Sequence, residues 1–224
     1  VKKFHNEEDL SVSILLDCSA SMQFGTPSKF DQARKIAAAV AYIAMQHQDS
    51  ARFYCFAESL HPDSEAGIRP GHIHRLMGFL EKRTATGKRS SFSQTIQNFL
   101  AKTRRPGVVF LLTDAMGVEG LQEGLKRLSF RGFEVNLVQV LSAEEVQPDL
   151  AGLVDLIDAE DSSRITLQIS QNLLTMYEEV LKEEFDDLRS FLNQHKITYA
   201  RYLTNSPFES LLLQMFQGNA GVVG

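Results

Sequence analysis

At 224 residues, 43% of them apolar, the chain is long enough for one large domain or two small ones and can bury a sizeable core. A net charge of −5 argues against general binding to nucleic acid or to an anionic membrane surface, although local basic clusters remain. Two cysteines lie in apolar, strand-like surroundings, which points to a reducing, cytoplasmic setting; no apolar stretch nears the ~20 residues that span a bilayer, and no signal-peptide pattern opens the chain.

Val1 to Asp9 is a polar approach without an initiating methionine, read as the start of a fragment lacking its N-terminal part. The apolar run Ser13 to Leu16 is too short for a helix and predicts a buried strand. Lys29 to Gln46 carries Phe30, Ala33, Ile36, Ala37, Val40, Ile43 and Ala44 at helical spacing. A strand follows at Arg52 to Ala57, then a loop from Ser59 to Gly71 with room for one short edge strand. Helices are predicted over His72 to Lys82 and Phe92 to Thr103, separated by a polar loop. Gly107 to Thr113 is a second buried strand, ending at Asp114 as the first ends at Asp17. Leu121 to Phe130 reads as a helix and Glu134 to Leu141 as a strand. Leu153 to Ile157 and Ile165 to Ile169 flank DAEDSS as a β-hairpin. A long helix, Gln171 to His195, has one acidic face. It is followed by a strand, Ile197 to Leu203, a helix, Pro207 to Gln217, and a glycine-rich tail. Alternating strands and helices at this spacing predict one α/β domain over 1–224, a mostly parallel sheet covered on both faces. Ligands bind outside the carboxyl ends of such strands, where Asp17 and Asp114 would lie.

The junction DCSAS places Asp17, Ser19 and Ser21 at alternate positions, with only small residues between them. One carboxylate and two hydroxyls supply half the oxygen sphere that a hard divalent cation requires. The same residues also suit plain helix capping, with Asp17 merely ending a strand. Asp114 follows LLT in a matching context.

With DCSAS after one strand and LLTDAMG after a later one, the chain resembles a von Willebrand factor type A (VWA) domain. The metal-ion-dependent adhesion site of that family is written D-x-S-x-S, then a distant threonine, then a distant aspartate. Closer still, LLDCSASMQFGTPSKFDQA, GLVDLIDAED and TNSPFESLLLQMF resemble the bacterial domain-of-unknown-function family fifty-eight, whose pattern is "lllD.S.SM.fg...K...A". The resemblance implies a Rossmann-like three-layer sandwich with one antiparallel edge strand and a β-hairpin insertion before the long helix. It implies a metal held by Asp17, Ser19, Ser21 and Asp114, with magnesium expected and manganese or calcium as substitutes. The family's Gly-Gly-Thr is replaced by GKRSSFSQTI, which aligns Ser90 with the threonine and leaves Ser91 or Thr86 as fallbacks; Lys88 and Arg89 beside it would repel a cation. The implied mechanism is binding, not turnover: a lightly neutralised metal keeps a replaceable water that an acidic residue of a partner protein displaces. A MoxR-type AAA+ ATPase is the implied companion.

The competing reading is a metal-dependent hydrolase or phosphatase using Asp17. A haloacid-dehalogenase-type phosphatase needs a second aspartate two residues on, and Ser19 stands there. A cysteine phosphatase needs an arginine six residues after its nucleophile, but Phe24 and His61 occupy those positions. Gly87-Lys88 fails as a P-loop, since Lys82 replaces the required glycine and Arg89 the required hydroxyl. His61, His72 and His74 lack a fourth zinc ligand. Cys18 is either a thiol activated at a helix start or a small core filler. Lys82, Arg83, Lys88 and Arg89, with Lys102, Arg104 and Arg105, either rim the metal face or are simply solvated. The stretch has no interleaved aromatics for binding nucleic acid.

Overall fold

A computed structural model describes residues 10–57, 60–62, 73–88 and 91–216. Its centre is β1 (Ser11–Asp17), whose side chains alternate between two apolar layers as strand geometry requires. Ile14 and Leu16 point into one core with Phe30, Ile36 and Val40 of α1 (Lys29–Gln46). Leu15 points into the other, with Phe92, Ile96 and Phe99 of α3 (Phe92–Lys102). A strand buried on both faces reads as a continuous apolar run, which is why ILL carries no polar alternation.

Parallel neighbours flank β1 on both sides: β2 (Ser50–Phe56) and β4 (Val108–Thr113). Beyond β4 lie β5 (Glu134–Leu141) and β8 (Thr198–Leu203), both parallel, while β3 (Leu60–Pro62) closes the far edge antiparallel to β2. The order β3-β2-β1-β4-β5-β8 reverses direction at β1, so the crevice between the carboxyl ends of β1 and β4 is the switch point where such sheets bind ligands. One face is covered by α1, with Leu80 of α2 (Ile73–Glu81) and Leu211 of α7 (Phe208–Phe216) joining its core. The other is covered by α3, α4 (Leu121–Phe130) and the distal half of α6 (Gln171–Gln194) through Leu125, Leu128, Leu188, Phe191 and Leu192. Phe99 anchors this second layer, meeting Tyr54 edge-on at 5.1 Å and Phe133 at 5.5 Å; such ring pairs contribute about 0.5–1.5 kcal/mol beyond area burial.

The three-layer α/β sandwich with an antiparallel edge strand is therefore the observed architecture. The opening strand is longer at both ends than its apolar run suggests, because Ser11 pairs with Ser50 and Asp17 with Phe56. Two short elements carry too few residues to show a period: a 3-10 turn, Ala20–Gln23, and α5 (Ala143–Val146), closed by a Ser142/Glu145 capping box. The hairpin forms from β6 (Gly152–Ile157) and β7 (Arg164–Ile169), which pair with each other and not with the main sheet. The acidic face of α6 is exposed, as a solvated face should be. Among the described residues no helix is long and apolar enough to cross a membrane. The glycine-rich tail, and the loop after β3 up to residue 72, lie outside the described residues.

Candidate metal centre

Polarity changes at Asp17 because β1 leaves its apolar neighbours there. The carboxylate is 1% exposed and fully engaged. Its Oδ1 accepts the Ser19 N–H at 2.9 Å and the Ser19 hydroxyl at 2.6 Å, while its Oδ2 accepts the Thr113 hydroxyl at 2.6 Å. A buried carboxylate requires donors of this kind. Asp17 thereby ties the end of β1 to the end of β4 and fixes where Ser19 presents its oxygen.

From Ser19 a chain of oxygens runs outward. Ser19 Oγ lies 3.2 Å from Ser21 Oγ, and the Ser21 hydroxyl donates to Asp114 Oδ2 at 3.2 Å. Asp17, Ser19, Ser21 and Asp114 are thus brought together from segments 93 to 97 residues apart in the chain. Either hydroxyl can donate across the Ser19–Ser21 contact, and both oxygens keep lone pairs for a further donor or cation. Around a magnesium ion at 2.0–2.1 Å, adjacent octahedral oxygens stand about 2.9 Å apart. Two successive edges of 3.2 Å come within about 0.3 Å of that spacing, while Asp114 Oδ2 also accepts the Lys29 ammonium at 3.0 Å.

Asp114 is aimed by its own loop. Ala115 adopts the left-handed region at φ 55°, a conformation that costs of order 1 kcal/mol and persists where surrounding bonds impose it. Here the Ala115 N–H donates to Thr113 Oγ1 at 3.2 Å and the Met116 N–H to Asp114 Oδ1 at 3.3 Å. Behind it the Gln139 side-chain amide donates to the Asp114 carbonyl at 2.9 Å and accepts from the Tyr199 hydroxyl. Burial pushes the Tyr199 phenol above its ordinary range, so it remains a donor.

Gly87 is laid against this site by backbone pairing. The Gly87 N–H donates to the Cys18 carbonyl at 3.2 Å and the Ala20 N–H to the Gly87 carbonyl at 2.9 Å. A Cβ on Gly87 would meet Ala57 Cβ at 2.4 Å, so only glycine permits this approach. Ser90, aligned with the family threonine, lies outside the described residues, as does Arg89. Of the fallbacks, Ser91 lines the same cavity as Ser21 and Asp114, whereas Thr86 is exposed and does not line it.

Thr113, Lys29 and Glu145 are among the residues at the site that escaped the motif reading. Thr113 is the apolar strand's last residue and holds Asp17. Lys29, the first residue of α1, is 1% exposed; its ammonium donates to Asp114 Oδ2 at 3.0 Å and also pairs with Glu145. Glu145 is held in turn by the Ser142 N–H at 3.0 Å. The lysine of SMQFGTPSKFDQA was the available signal, since the family pattern carries a lysine there. Among the described residues, the basic group bonded to Asp114 is Lys29, and Lys88 is exposed.

Above the oxygens opens a cavity of about 490 Å³, lined by Ser21, Ser91 and Asp114 together with Glu119, Glu145, Asp158 and Glu160. Among the described residues its charged lining is wholly acidic. Of the two readings of the basic cluster, the solvated one holds for its distal members. Lys102, Arg104 and Arg105 precede β4 and sit at the amino edge of the sheet, about 20 Å of strand away from Asp114 at ~3.3 Å per residue. Cys18 is 8% exposed and packed in the α1-side core. A side-chain hydrogen bond with Cys55, then burial, pushes its thiol well above the usual range, the state of a core filler and not of a nucleophile.

A family model described as "Protein of unknown function DUF58" matches residues 1–185. No curated protein sequence matches the chain. Among solved structures, an aerotolerance-related membrane protein from Bacteroides fragilis, with multiple mutations to serines, superposes at TM-score 0.58 and 18% identity, covering 93% of this chain and 99% of that one. The conserved hypothetical protein BatB from Bacteroides thetaiotaomicron gives 0.57 and 17%, covering 92% and 95%. The SpRpn10 VWA domain gives 0.54 and 11%, covering 96% and 99%. At these identities the likeness establishes the fold, which is that of a VWA domain.

Proposed function

The chain belongs to the DUF58 family, and from that membership and the geometry above we propose that it is a non-enzymatic protein-interaction module. It holds a divalent cation, magnesium first, at Ser19, Ser21 and Asp114, with a hydroxyl of the GKRSS segment, Ser90 or Ser91, completing the protein's share. Asp17 orients Ser19 from behind. When bound, the cation supplies an electrophilic site that an acidic residue of a partner protein can occupy.

The observation that carries this reading is the convergence of the Ser19, Ser21 and Asp114 oxygens at 3.2 Å spacing, with Ser21 and Asp114 lining an acidic cavity. A cavity lined by Asp114, Glu119, Glu145, Asp158 and Glu160 attracts a cation and repels a carboxylate. Partner binding is then conditional on the metal, because the Lys29 ammonium offsets only part of the acidic lining and the ion supplies the remaining positive charge. A role for Asp17 as a phosphatase nucleophile is disfavoured by its 1% exposure and by the Ser19 and Thr113 donors on both its oxygens.

The partner proposed on the family resemblance is a MoxR-type AAA+ ATPase in the same cytoplasm. Immobilised chain should retain such an ATPase in millimolar magnesium and release it in EDTA, and should hydrolyse no aryl phosphate in either buffer. Retention that ignores EDTA would contradict the metal-dependent mechanism, and metal-dependent phosphate release would replace it with the enzyme reading.

A further inference from the structure

The hairpin β6–β7 reaches over the metal centre and places one side chain in it. Glu160 Oε1 accepts the Ser21 backbone N–H at 3.1 Å, a contact between residues 139 apart in sequence. Asp158, Ala159 and Glu160 line the cavity together with Ser21, Ser91 and Asp114. Nothing in the oxygen motif announces this glutamate, which sits in a polar turn far down the chain.

The turn that carries it is internally braced. Asp158 Oδ1 accepts the N–H groups of Glu160 and Asp161 at 2.7 and 3.2 Å, and the Asp158 N–H donates to the Ser163 carbonyl at 2.9 Å. The Ser163 side chain and then its N–H, at 2.7 Å from Asp161 Oδ1, hold the Asp161 carboxyl below its usual range. The two strands behind the turn are bonded to each other through six register pairs and to no strand of the main sheet. Most of their side chains are exposed. Gly152, at φ 76° with no heavy atom within 4 Å of a Cβ built on it, marks the entry to the hairpin. A stiff tip on an arm outside the sheet can move as a body without breaking the sheet's ladder.

Resting on the metal-dependent reading above, we infer that Glu160 is the chain's own ligand for the cation, occupying the corner that a partner's carboxylate later takes. Both are carboxylates competing for one ion. The internal one is present at the effective concentration of a tethered group, on the order of millimolar, so the hairpin sets a threshold that only a well-fitted partner acid exceeds. Opening of the β6–β7 arm is then the step that admits the partner.

The test uses the whole chain and manganese alone as probe, reading affinity by calorimetry and bound water by proton relaxation enhancement. Glu160→Gln should bind manganese about ten- to a hundredfold more weakly and show higher relaxivity, since a water replaces the lost carboxylate. Millimolar acetate should lower that relaxivity in the variant and leave the wild type unchanged. Glu119→Gln, which removes a charge from the same cavity wall, should retain the wild-type relaxivity. Equal affinity and relaxivity in wild type and Glu160→Gln would overturn the assignment while leaving the metal centre standing, as would Glu119→Gln reproducing the Glu160→Gln relaxivity. Absence of manganese binding in every protein would instead remove the metal-dependent reading itself, and this assignment with it.

Discussion

Lys29→Met is expected to lower the unfolding free energy by about 3–5 kcal/mol in EDTA, the usual cost of removing one partner from a buried ion pair. Lys29 is among the largest fully buried side chains, and its ammonium sits 3.0 Å from Asp114 Oδ2. Asp114 is itself 2% exposed, and Glu145, the second acid on the ammonium, 19%. Methionine fills the same volume, so the loss isolates charge from packing. The account adds a second part: magnesium should restore more stability to the variant than it gives the wild type, because the ion then supplies positive charge that Asp114 has lost. Urea unfolding of both proteins, with EDTA and with saturating magnesium, measures both terms. A variant as stable as wild type in EDTA would show that the Lys29–Asp114 pair contributes nothing to the fold.

The second large effect is on cation affinity. Asp17→Asn preserves shape and can keep an acceptor toward Ser19, but it turns an amide N–H₂ toward Thr113 Oγ1, which now donates to Asp17 Oδ2. Thr113 already accepts from the Ala115 N–H, so the hydroxyl must reorganise, at about 1–3 kcal/mol for a disturbed buried hydrogen bond. The fold should survive, since both core layers are untouched. Magnesium affinity should fall about ten- to a hundredfold, the typical penalty when a group that orients a ligand is altered. Calorimetric titration of the folded variant reads the loss directly; wild-type affinity in Asp17→Asn would remove Asp17 from the site.

The fold was legible because its strands are buried on both faces. ILL and VVFLL are too short and too apolar to be anything but central strands, and α1 and α4 fall on the predicted residues. The 3-10 turn and α5 were not legible, since four residues carry no period. At the site, the oxygens of Asp17, Ser19, Ser21 and Asp114 could be named because their spacing encodes a strand end and a turn. Lys29, Glu145 and Glu160 could not be placed by spacing. Each reaches the site from a separate element, α1, α5 and the hairpin, and only the packing of those elements decides which charge faces Asp114. The same limit left the basic cluster open between two readings: residues near one another in sequence, such as Lys88 and Lys102, are separated by the length of α3.

The oxygens at the switch point are either a cation site or a hydrogen-bonded helix cap, and thermal unfolding against added magnesium separates the two most directly. A ligand that binds only the folded chain stabilises it by about 2.7 kcal/mol at a hundredfold excess over its Kd, worth roughly 5–10 °C for a domain of this size. The account predicts a saturable rise of that order with magnesium, absent with sodium chloride of equal ionic strength and absent in Asp114→Asn. A melting temperature that does not respond to magnesium, or one that sodium raises equally, would contradict it.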